Sequence, residues 1–262
     1  MTRGAGIGVL LGVTAAAVAA ACAVPPIPQD PAYHRFADTR PIGGVPNAWA
    51  VFSNLPFVLV GLAGVRQILS APAGASAPFV EPRERWPYAL FFAGVALTGV
   101  GSAYYHWAPD NARLVWDRLP MTIGFMALLA AIVAERVSVT AGLALLPPLL
   151  FAGAGSIAYW HAGELRGAGD LRPYALVQFA PGVLIVVMLW LFPARYTHGG
   201  YLVGVVLIYG AAKLAEVLDA PIFSMGHVLS GHTLKHLTAA LAAWWLLRGL
   251  AIRRPAAAEE RT

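Results

Sequence analysis

A chain of 262 residues that is 58% hydrophobic and 12% charged, with mean hydropathy +0.65, is excluded from the ordinary soluble domains, because repeated near-chargeless stretches of this kind are what a bilayer core selects. The net charge of +5 arises from 16 Arg and 2 Lys scattered through loops and the C-terminal tail, which argues against a nucleic-acid surface and for topology signals. The single cysteine, Cys22, excludes an intramolecular disulfide and any multi-cysteine zinc site, so a metal would need His or carboxylate ligands.

Residues 1–24 combine Arg3, an apolar run and small residues before Pro25, the pattern of a signal peptide or an extra transmembrane anchor. Cys22 follows three alanines, where a lipoprotein signal prefers a larger aliphatic residue. Residues 25–46, rich in Pro and polar groups, read as an extramembrane segment. Seven apolar runs follow: Ala48 to Leu69, Trp86 to Trp107, Asp117 to Ala134, Val139 to Trp160, Tyr174 to Phe192, Gly200 to Leu218 and Met225 to Leu247. At that length only helices satisfy the backbone inside a bilayer, since the alternation of a barrel is absent. The expectation is an all-α polytopic membrane protein: a seven-transmembrane-helix bundle over 47–248, preceded by the N-terminal segment and followed by a cytoplasmic tail, 249–262. Ala71 to Arg85 is the longest connection, and no short-period repeat is visible.

Arg66, Arg83, Arg85, Arg136, Arg195, Arg248, Arg253, Arg254 and Arg261 fall at one set of helix ends, and Arg35, Arg40, Arg113, Arg118, Arg166 and Arg172 at the other. The positive-inside rule then puts the first set in the cytoplasm. The bias to Arg over Lys, and to Ala and Gly, fits a GC-rich bacterial genome, and the expected location is the bacterial inner membrane.

This alternation brings Ser102, His106, Asp117, His227, His232 and His236 to one membrane face, together with Asn47, Asn54, His161, Glu164 and Asp219. Ionisable groups at membrane depth are costly, and their gathering on one side marks a site. In GHTLKH, His232 and His236 are spaced i, i+4, which stacks both rings on one helical face about 6 Å apart. With seven histidines such a pair arises by chance about one time in six, so the spacing alone assigns no metal. An interhelical hydrogen-bonding pair is the bland alternative.

Ser102 and His106 are also i, i+4, on the helix end that faces the pair. Three neutral imidazoles leave one open position on a tetrahedral zinc ion, where a water is acidified to a pKa of about 7. Ser102 can donate to a developing oxyanion, or merely bond back to its own helix. Asp117 is either the carboxylate that carries a proton to a leaving group or an N-cap opening its helix, neutralised by Arg113 and Arg118. His227 and His161 read as interfacial. Asn54 reads as a tie between helices.

The set SAYYH (102–106), WDRLPM (116–121) and GHTLKH (231–236), with PNAWAVFSNLPF (46–57), resembles the alkaline ceramidase family of seven-helix intramembrane hydrolases. The resemblance covers about residues 38–248. It implies Zn2+ on His106, His232 and His236, Ser102 assisting the oxyanion, and Asp117 as proton shuttle. The partner it implies is a membrane lipid, a ceramide or related N-acyl lipid, cleaved to a sphingoid base and a fatty acid near the periplasmic face. The calcium site of eukaryotic members is not expected, because Asn47 stands where they carry a glutamate and the preceding segment offers only Asp38. Two other functions fit the residues: an esterase on the same metal, and a receptor or proton relay. A relay would thread ionisable groups through the membrane depth, whereas these cluster near one face.

Overall fold

Several of the long helices in this computed structural model, which describes residues 1–72 and 78–256, begin or break at a residue whose chemistry accounts for it. The chain runs through α1 (Arg3–Ala23), α2 (Ala48–Phe52), α3 (Leu55–Leu69), α4 (Arg85–Trp107), α5 (Asn111–Arg136), α6 (Val139–Glu164), α7 (Arg172–Leu191), α8 (Tyr201–Val217), α9 (Asp219–Ser224) and α10 (Gly231–Ile252), with 3₁₀ turns at Pro31–His34 and Pro82–Glu84. No strand occurs among the described residues. Thr2, Asp110, Ser138 and Ser230 cap α1, α5, α6 and α10 by accepting from backbone N–H groups that have no partner inside the helix.

Six helical segments are long and apolar enough to cross a membrane: Arg3–Ala23, Ala48–Leu69, Pro82–Trp107, Asn111–Arg136, Val139–Glu164 and Arg172–Leu191. This is the make-up of a multi-pass membrane protein. Helices also form over the two remaining expected runs. One is α8, of 17 residues, and the other is α10, whose first turns carry His232, Lys235 and His236.

The bundle is centred on α5, which packs against α4, α6 and α7, while α3 lies on α4 and α8 on α10. By contrast α1 lies outside, against α7, and buries only Gly6. Small residues allow the close crossings that packing in a bilayer favours. A Cβ on Gly101 would overlap the Trp116 carbonyl, and one on Gly231 the Ala215 carbonyl. These two approaches seat the ends of α4 and α10 where the histidines are.

Three boundaries differ from the sequence expectation. The run from Ala48 is broken at Ser53 and Asn54, because Pro56 has no N–H to close on the Phe52 carbonyl. The run expected from Asp117 begins at Asn111, capped by Asp110, whose carboxylate accepts from Arg113 N at 2.7 Å. The last run does not start at Met225: α9 ends at Ser224, and α10 starts after Ser230 and continues to Ile252. Residues 73–77 of the long connection, and Arg261 with the rest of 257–262, lie outside the described residues.

At the end of the bundle away from the histidines, Arg253 is 0% exposed and pairs with Glu135 at 2.6 Å, under the ring of Tyr196 at 3.9 Å. Arg136 is buried beside the same carboxylate. Two arginines counted as loop charges are therefore internal: Arg253 fixes the end of α10 to α5, and Arg136 fixes the end of α5 to the Phe192 carbonyl after α7 at 3.2 Å.

Candidate metal centre

The last turn of α4 carries His106, and the first turns of α10 carry His232 and His236. All three are buried. The Nε2 atom of His106 lies 3.2 Å from Nε2 of His236 and 3.2 Å from Nε2 of His232. Three ligand nitrogens, one from each ring, fall within 4.8 Å of one another, so the triad can hold a metal ion. Two nitrogens each about 2.05 Å from a tetrahedral ion stand about 3.3 Å apart, which is close to the observed spacing.

The donor chemistry agrees. Ser53 Oγ donates to the Ala50 carbonyl at 3.2 Å, so its contact with His236 Nδ1 at 2.8 Å is one in which the imidazole N–H donates. That fixes the tautomer with the lone pair on Nε2, the arrangement by which a hydroxyl or carbonyl orients a ligating histidine. Ser53 reaches the ring because the chain breaks between α2 and α3. Asp219 Oδ1 accepts from the backbone N–H of His232 at 2.7 Å and fixes the first turn of α10.

The segment before α2 lies over the triad. Phe36 packs its ring on His106 and His232, with centroids 4.7 and 4.6 Å away. Asp219 Oδ2 holds it through the Ala37 N–H at 2.9 Å, and Asn47 Nδ2 donates to the His106 carbonyl at 2.9 Å. His34 bridges Tyr105 Oη at 3.0 Å and Asn111 Oδ1 at 2.9 Å. Asp38 is bound by Arg40 through two hydrogen bonds from the guanidinium, which lowers its carboxyl pKa below the usual range.

Ser102 and Asp117 are buried and, with His236, line a cavity of about 380 Å³ whose other walls are mostly apolar side chains of α5, α7, α8 and α10. Asp117 lies inside α5 and caps nothing, since Asp110 serves there. Neither of the two arginines is in salt-bridge contact with it among the described residues: Arg113 pairs with Asp110 at 3.8 Å, and Arg118 turns its guanidinium toward aromatic rings. Asn54 does not tie this span to a neighbouring one either, as its amide donates across the break to Ala50 O of α2 at 2.8 Å. Among the described residues His161 and His227 are outside the ligand cluster, and His227 is exposed beside Phe223.

Four features of the site are not anticipated from the sequence: Ser53, Phe36, the ring cage around Arg118, and a half-buried Lys213, Glu216, Lys235 cluster. The last carried a signal, since an i, i+3 ionisable pair inside an apolar run marks a cavity. The chain matches no family model and no curated protein.

Proposed function

We propose that the protein is a zinc-dependent intramembrane amide hydrolase that cleaves N-acyl lipids of the ceramide type to an amine and a fatty acid, in the manner of the alkaline ceramidases. The observation that carries the reading is a buried cluster of three imidazoles, with ligand nitrogens all within 4.8 Å of one another, whose His236 shares an apolar cavity with Ser102 and Asp117. A divalent ion on three neutral imidazoles supplies Lewis acidity and an activated water. Asp117 takes the proton released as water adds to the acyl carbon, and returns it to the amide nitrogen as the C–N bond breaks. The Ser102 hydroxyl donates to the carbonyl oxygen as charge grows on it. Phe36 excludes bulk water from the ring face of the triad, and the apolar walls receive the acyl chain.

The same reading takes α2 with α3, α4 to α8, and α10 as seven spans of a bacterial inner membrane, with the triad near the periplasmic face. The distribution of arginines along the sequence supports that orientation.

The test is fatty-acid release from N-acyl lipids by the purified protein in lipid nanodiscs, before and after removal of metal by a chelator. Turnover that disappears on stripping and returns with zinc supports the reading. Zinc in place with no turnover of any acyl lipid overturns it.

A further inference from the structure

We propose that Arg118, in a cavity also lined by Lys213 and Lys235, binds a carboxylate on the lipid headgroup, so that among N-acyl lipids the substrate is an anionic amphiphile of the N-acyl amino acid type in place of a neutral ceramide. This substrate class rests on the hydrolase reading above; the anion site itself does not. Arg118 is 4% exposed and lines the cavity. Its guanidinium carbon stands 4.7 Å from the Trp160 ring, 4.9 Å from Tyr174 and 5.3 Å from Tyr33. Among the described residues its Nη1 has no hydrogen-bond partner. A buried cation with no carboxylate in salt-bridge contact is expensive to keep. The rings take up the charge without accepting its N–H hydrogens in the plane, and a guanidinium's donors form the fork that matches a carboxylate.

The remaining charges of the cavity point the same way. Glu216 is occupied by both lysines: Lys235 Nζ is 2.9 Å from Oε1, and Lys213 Nζ bonds Oε2. Tyr33 Oη adds a contact to Oε1 at 3.4 Å. With Asp117 as the other carboxylate, three cations face two anions around one cavity. One negative charge from the ligand balances them. Selectivity has to come from such contacts, because an acyl chain moving from lipid to an apolar wall exchanges one apolar environment for another.

The experiment compares N-palmitoylglycine, which carries a free carboxylate, with neutral N-palmitoylethanolamine, on zinc-loaded protein in nanodiscs. The expected ratio of kcat/KM is about tenfold or more in favour of the glycine conjugate, the smallest factor expected where a buried charged hydrogen bond separates two ligands. Arg118→Gln brings the ratio close to one by raising KM for the glycine conjugate, and Arg118→Lys recovers part of it. Because the ratio is taken within one preparation, partial loss of folded protein cancels. Equal turnover of both lipids by the unmodified protein overturns the proposal, as does an Arg118→Gln variant that keeps the ratio.

Calorimetric binding of palmitate, hexadecanol and hexadecyl phosphate separates this proposal from the hydrolase reading. Palmitate binding that depends on Arg118, without turnover of any N-acyl lipid, keeps the anion site and sinks the hydrolase. Hexadecanol bound as tightly as palmitate removes the anion site, and hexadecyl phosphate bound above palmitate replaces the carboxylate with a phosphate and overturns the substrate class named here.

Discussion

His236 Nδ1 and Ser53 Oγ lie 2.8 Å apart, joining the first turns of α10 to the break between α2 and α3. The contact orients one of the three rings, and it exists only because Pro56 interrupts the helix beside it. Ser53→Ala is expected to leave the fold and the three ligands in place and to weaken zinc binding about 10- to 100-fold, the usual effect of losing a group that orients a ligand. Chelator competition measures it. An unchanged affinity would mean that the ring is held by packing alone, for instance by Phe57 at 6.3 Å.

Asp117 and Asp110 separate chemistry from helix capping. Asp117→Asn is expected to retain zinc and to lose turnover by about 10²- to 10⁴-fold, the range for a proton-transferring group. Asp110→Ala removes the cap of α5 and is expected to cost about 1 kcal/mol of stability with turnover kept. Metal content, thermal unfolding and hydrolysis on the two variants read these effects independently.

The Asp170 carboxylate accepts from Arg172 and from the Ile27 N–H at 3.3 Å, and so ties the segment after α1 to the start of α7. The Arg172 guanidinium holds its pKa at about 2, below an unfolded value of about 3.9. With the folded value depressed, the stabilisation is fully present above about pH 4 and is lost as pH falls through 4 toward 2. Amide exchange over residues 24–30 is expected to accelerate in that window, and Asp170→Asn to show the faster exchange already at pH 7. Exchange in the variant that matched the parent at neutral pH would show that Leu171 N to Ile27 O, at 2.8 Å, suffices.

The buried pair at the opposite end makes a structural prediction with no catalytic component. Removing one partner of a buried ion pair costs about 3–5 kcal/mol, because the other charge stays buried alone. Glu135→Ala is therefore expected to lower the unfolding temperature strongly at neutral pH, while the surviving folded fraction binds zinc with parental affinity. Circular dichroism melts with metal titration check both halves.

What the sequence made legible follows from how local each signal is. The i, i+4 spacing of His232 and His236, with alternation of apolar runs, brings His106 to the same end without any tertiary detail. The start of α5 was misplaced because WAPDNAR was read as loop, although Asp110 followed by Asn111 is a cap signal. Ser53 was invisible for a different reason: a lone serine in an apolar run reads as bonded to its own helix, and its donation to Ala50 satisfies that reading while its acceptor side serves His236. Arg118 reads in the sequence as a charge at a helix end, and its cage is assembled from Tyr33, Trp160 and Tyr174, far apart in the chain. Positions fixed by spacing were readable, and those fixed by the crossing of three or more elements were not.

Zinc K-edge X-ray absorption on the purified protein, with metal content measured on the same sample, bears most directly on the three imidazoles sharing one ion. The result expected is about one zinc per chain with three nitrogen neighbours at about 2.0–2.1 Å, and loss of the metal in His232→Ala. A protein that takes up no zinc, or zinc whose nitrogen shell is unchanged in His232→Ala, would contradict the account.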